Sequence, residues 1–142
     1  MGFLATDLAI LSSTGPTTNI PVSKDVVVKA FKVARTDTTA ALKAVLPADA
    51  SIINIDIFGV ASNAGTTATL SIGTSTTANE IVNAQSVLTG GKINVATAWS
   101  TNYPNVQPVP LVGDIQLYAK YAESGTASSA GGDWTVVVYY VR

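Results

Sequence analysis

Apolar and polar residues alternate with a period of two along several stretches of this chain, and two stretches near its end are the clearest. Over residues 114–121, Ile115, Leu117, Ala119 and Tyr121 share one face, while Asp114, Gln116, Tyr118 and Lys120 share the other. That alternation predicts a strand with one face buried and one in water. Over residues 133–142, Trp134, Val136, Val138 and Tyr140 form one face and Thr135, Val137, Tyr139 and Val141 the other, so neither side is polar. Such a strand needs cover on both sides, from a loop or arm of its own chain or from another subunit. Thr135, Val137, Tyr139 and Val141 are therefore a candidate oligomer interface. Residues 123–132, rich in Gly, Ser and Ala, separate the two runs. They read as a long mobile loop, and the whole as a β-hairpin.

The same reading extends back along the chain. Residues 26–35 are a β-branched run that predicts a strand. Lys29 and Lys32 fall on opposite faces of it, which requires either wet positions on both faces or a bulge between them. Residues 40–46 are rich in Ala and Leu but end at Pro47, so a strand is favoured over a helix. Over residues 51–60, Ile53, Ile55 and Ile57 face inward with Asn54 and Asp56 outward. Residues 66–73 return with Ala68, Leu70 and Ile72 inward, so 51–73 reads as a second hairpin. Ile81, Ala84 and Leu88 stand at helical spacing before Gly90-Gly91, which predicts one short helix over residues 79–88. Residues 92–96 read as a short strand. Residues 97–113 carry Trp99, Tyr103 and prolines 104, 108 and 110, a long connection of the kind that carries function. Together these elements predict an all-β fold, a jelly-roll-like antiparallel sandwich of about eight strands over residues 26–142 with at most one short helix.

Residues 1–25 form a separate segment. An apolar tip with Phe3, Leu4, Leu8, Ile10 and Leu11 is followed by a Ser/Thr/Pro-rich tether containing Pro16 and Pro21. Prolines so placed exclude a helix or central strand, and the segment reads as an extended arm whose tip docks on a neighbouring subunit or surface. Its alternative is a short element packed on its own domain. The stretch has no positive n-region and Asp7 interrupts it, so it is a poor secretory signal, and the myristoylation pattern at Gly2 is weak.

Composition changes the picture mainly by exclusion. At 142 residues the chain is long enough for a real core without covalent staples. Charged residues make up 12% against an average of about 25%, with hydrophobic residues at 47% and a positive mean hydropathy. That balance suggests a surface largely hidden in an assembly, while no apolar run reaches the roughly 20 residues a bilayer-spanning helix needs. Net charge is −1 with no basic cluster beyond Lys24, Lys29, Lys32 and Arg35, which argues against nucleic-acid binding. With no cysteine and no histidine, disulfides, thiolate nucleophiles, His-based acid–base catalysis and nearly all zinc sites are excluded. The nine acidic residues show no catalytic spacing: Asp56 lies on an outer strand face, and Asp114 and Asp133 stand at strand ends. Asn54 and Asp56 lack the glycine and distal glutamate of a calcium loop, and Gly90-Gly91-Lys92 lacks the rest of a phosphate-binding loop. No enzyme activity, metal or cofactor is expected.

Certain residues carry a family resemblance. Tyr118-Ala119-Lys120-Tyr121, the loop residues Ser124-Gly125-Thr126 and Gly131-Gly132, and the closing run from Trp134 to Arg142 resemble small virion proteins of tailed bacteriophages, as does the stretch 61–73. The resemblance covers about a third of the chain and is compositional. It implies jelly-roll-like decoration or cement proteins that sit on a capsid as dimers or trimers, with the major capsid protein as partner, a virion location and no catalytic residues. A second reading stays open, a receptor- or glycan-binding sandwich of a phage fibre, in which Trp99 and Tyr103 form an aromatic loop surface. Against it stands the reading in which both aromatics cap the core.

Overall fold

The computed structural model describes residues 25–95 and 113–142. Eight strands are present among them: β1 (Val26–Val33), β2 (Ala41–Leu46), β3 (Ser51–Gly59), β4 (Thr67–Gly73), β5 (Val82–Ser86), β6 (Gly91–Asn94), β7 (Ile115–Ser124) and β8 (Trp134–Val141). They form two antiparallel four-stranded sheets with the orders β1-β8-β3-β6 and β2-β7-β4-β5. Consecutive strands mostly alternate between the sheets, with the fourth and fifth adjacent in one of them. This is the jelly-roll arrangement, in line with the fold class expected from the alternation. The proposed arm tip (Phe3, Leu4, Leu8, Ile10, Leu11) and the loop aromatics Trp99 and Tyr103 lie outside the described residues.

The core sits between the sheets and is built from the alternating positions. Ile115, Leu117, Ala119 and Tyr121 of β7 face Trp134, Val136, Val138 and Tyr140 of β8, and all eight are buried. Leu70 and Ile72 of β4, Ile55 and Ile57 of β3, and Leu46 of β2 complete the layer. Each fully buried aliphatic side chain of this kind stabilises the fold by about 1.5–3 kcal/mol relative to leaving it in water.

Both expected hairpins are corrected. β7 pairs with β2 and β4 while β8 pairs with β1 and β3, so the two strands lie in opposite sheets. The same holds for β3 and β4. The apolar face of each strand points across the core at that of the other, and a connection arching over the sandwich end satisfies both faces at once. The Tyr121 and Trp134 rings stack across the interior, 5.1 Å apart and 18° from parallel. The expected helix over 79–88 is also replaced, by β5 pairing with β4. Ala84 has a φ of 56°, which no α-helix accommodates, and the buried Ile81, Val82 and Val87 satisfy the core instead of a helical stripe. In β3 a bulge between Ile52 and Asn54 buries Ile52 and turns Ile53 outward, reversing the expected inward position of Ile53. β1, by contrast, pairs with β8 without a register shift, and both Lys29 and Lys32 are exposed.

The β1–β2, β3–β4, β5–β6 and β7–β8 connections gather at one end. The β7–β8 loop, expected to be mobile, is tied there by hydrogen bonds. Asn63 Oδ1 accepts from the backbone N–H of Ser129 (2.9 Å) and Ala130 (2.8 Å), and Gly65 N donates to Thr126 O at 2.8 Å. Arg35 Nη1 donates to Ser128 O at 2.6 Å. The Glu123 carboxylate accepts from Tyr121 Oη at 2.6 Å and from the backbone N–H and hydroxyl of Ser128. These bonds hold its pKa below the ordinary range, Ser128 contributing most. Gly131, at φ 93°, lets the two loops touch: a Cβ there would stand 2.5 Å from Ala61 O. At the opposite end, Glu80 organises the β4–β5 connection, bonded by the hydroxyls of Ser75 and Thr77 and by the N–H groups of Thr74 and Asn79. Burial alone would raise its pKa, but these donors outweigh it and hold the group at about 2 against an ordinary 4.5.

Two outcomes follow. Because the folded-state pKa values of Glu80 and Glu123 are depressed, their contribution is present above the unfolded pKa and is lost as pH falls through the folded one. The thermal midpoint should therefore drop as pH is lowered from about 4.5 towards about 2. Glu80→Gln should flatten that dependence in a calorimetric pH series. Gly131→Ala should destabilise by about 1–3 kcal/mol in urea unfolding, since it forces a side chain into a left-handed conformation against the Ala61 carbonyl.

Candidate functional site

The candidate site is the outer face of the β1-β8-β3-β6 sheet. Residues directly opposite in an antiparallel pair share a face, so the register assigns its members. Val26 lies opposite Val141, Val28 opposite Tyr139, Ala30 opposite Val137 and Lys32 opposite Thr135. Across the other edge of β8, Ser51, Asn54, Asp56 and Phe58 of β3 stand opposite Val141, Tyr139, Val137 and Thr135. Since the alternate β8 residues are buried in the core, these positions point away from it.

The face divides in two. On the β1 side it is largely apolar, with Val26 56% and Val28 52% exposed, and across β8 the bulged Ile53 at the start of β3 is 47% exposed. Thr135, Val137, Tyr139 and Val141 beside them are half-buried. Their strand is central in its sheet, so neighbouring side chains cover part of the outer face and leave the rest in water. On the β3–β6 side it is polar and internally satisfied. Asp56 is only 2% exposed although it points outward, because Lys92 and Asn94 of β6 close over it. Lys92 Nζ lies 3.1 Å from Asp56 Oδ2, and Asn94 Nδ2 donates to Asp56 Oδ1 at 2.9 Å and to Asn54 Oδ1 at 3.1 Å. The Lys92 ammonium also lies 5.9 Å from the Phe58 ring centre. An apolar area bordered by a satisfied polar rim is the anatomy of a protein–protein interface. The outer face of the other sheet differs: Gln116, Tyr118 and Lys120 of β7 and Thr67 and Thr69 of β4 dominate it, with Leu42 and Val45 at one edge.

The structure thus brings together the four β8 positions marked by the sequence and adds Val26, Val28 and Ile53. β1 was legible as a β-branched run, but neither the face taken by Val26 and Val28 nor the strand that would lie beside β8 was. Ile53 joins the face only through the bulge. Among the described residues, no three acidic side chains gather into a group that could hold a metal ion.

No protein-family model matches this chain, and no curated protein matches it. Among solved structures it is similar to a chain of the cyanophage Pam1 capsid asymmetric unit, at 21% identity over 84% of this chain and 86% of that one, with a TM-score of 0.62. At that identity the similarity is one of fold, and the jelly-roll sandwich is shared over most of both chains.

Proposed function

We propose that this chain is a structural protein of a phage virion that binds the outside of the capsid and stabilises it as a decoration or cement protein. The observation that supports this best is the similarity along most of its length to a chain of a phage capsid assembly, joined to an apolar outer face. In this reading its partners are the major capsid protein and further copies of itself, with a trimer favoured and a dimer next. Closed symmetry buries an apolar face without leaving a growing edge. Many weak subunit contacts then add up to firm attachment. The scarcity of charge fits a surface spent on contacts rather than on solvent. No catalytic role is assigned to any residue: Asp56, the most buried acid, is engaged by Lys92 and Asn94.

The direct test is co-sedimentation of the purified chain with capsids lacking it, where pelleting and a raised thermal threshold of the particle are expected. Val28→Lys tests the self-contact by light scattering. Val28 is already half in water, so the change should leave the fold intact and reduce the oligomer to monomer mass. Val137 is a poorer probe, because an aspartate there would stand directly opposite Asp56 and unsettle the sheet itself. A monomeric wild-type chain at micromolar concentration would remove the self-association part. Assay on a polysaccharide panel should show no turnover, and turnover abolished by Asp56→Asn or Asp114→Asn would overturn the non-enzymatic reading.

A further inference from the structure

We propose that the apolar half of this outer face is covered by residues 1–24 of a second copy, so that subunits are joined by exchange of their N-terminal segments. This rests on the reading above that the chain acts as an oligomer. Three observations converge on that occupant. First, the face and the segment match in character: Val26, Val28, Ile53 and Tyr139 offer apolar surface, and the segment carries Phe3, Leu4, Leu8, Ile10 and Leu11. Its one acidic residue, Asp7, has a counterpart in Lys32 on the outer face at the far end of β1. Second, the segment joins the domain at Val26, a corner of that same face. Twenty-four residues reach at most about 80 Å, against about 26 Å for the eight residues of β1, so distance does not prevent it from crossing to a neighbour. Third, among the described residues β1 pairs with β8 alone and is an edge of its sheet, so its other side offers unpaired backbone groups to a further strand.

A second copy is favoured over the chain's own segment because of what lies between tip and domain. Gly15 and Ile20 each precede a proline, which biases their backbone towards extended conformations. That bias favours a neighbour's face, since covering its own face would require the chain to reverse direction ahead of β1. Reciprocal exchange also closes the assembly, as each copy both gives and receives one segment.

The chain has no cysteine, so introduced thiols report without background. A full-length Leu8→Cys protein and a full-length Val28→Cys protein, one carrying a size tag, would be mixed after joint refolding and treated with a short bis-maleimide. We expect a tagged–untagged covalent product on a denaturing gel, lost when Val28→Cys is replaced by Gln116→Cys on the opposite sheet. Absence of that product while light scattering still shows an oligomer overturns the exchange and leaves self-association standing. A double Leu8→Cys, Val28→Cys chain that links only within itself overturns it in favour of the chain's own segment. A product formed by a chain that does not pellet with capsids supports the exchange and overturns the capsid reading instead.

Discussion

The fold depends on the meeting of two apolar sheet faces, and at the loop end that meeting is made by Tyr121 stacked on Trp134. The two residues belong to consecutive strands, yet they touch across the core rather than side by side. Their contact requires the chain to leave one sheet and enter the other between them, which the loop through Gly131 allows. Tyr121 Oη is held in turn by Ser62 Oγ at 2.9 Å, so the ring's polar end is satisfied where it emerges among the loops. An aromatic pair of this kind adds about 0.5–1.5 kcal/mol beyond the area it buries. Its larger effect is geometric, because it sets the spacing of the sheets where the β3–β4 and β7–β8 connections interlock.

Strand positions were legible in the sequence because alternation is a local signal. Ile115 to Tyr121 and Trp134 to Tyr140 show which side of each strand is buried, and the structure keeps both assignments. Partner choice was not legible, since a strand with one apolar face is equally satisfied by a hairpin neighbour and by a strand across the core. The bulge at Ile53 escaped for a related reason: Ile52 and Ile53 are equally apolar, and only the pairing with Tyr139 and Tyr140 decides which turns inward. Over residues 79–88 the spacing of Ile81, Ala84 and Leu88 imitates a helix, but pairing of Val82 with Ile72 overrides it.

The outer face was half legible. A strand apolar on both sides stands out in any sequence, and β8 was marked on that ground. The contribution of β1 depended on knowing that the first and last strands are neighbours, a long-range fact with no local trace. The polar half was hidden in another way, since Asp56, Lys92 and Asn94 are ordinary surface residues until β6 docks beside β3 and closes them over one another.

The pairing of β1 with β8 has a consequence for how the protein is made. Among the described residues, every ladder partner of β1 lies in β8, more than a hundred positions later in the chain. During synthesis the β1–β8 ladder cannot form until β8 has left the ribosome, and the β8–β3 pairing waits for the same event. Contacts so distant in sequence slow folding, because the loop must be closed before any contact is gained. In the other sheet β4 can pair early with β5, but β2 gains its ladder only with β7. Until β8 emerges, Val26, Val27 and Val28 lack their β8 partners, and the cell must tolerate that interval before the sandwich can close.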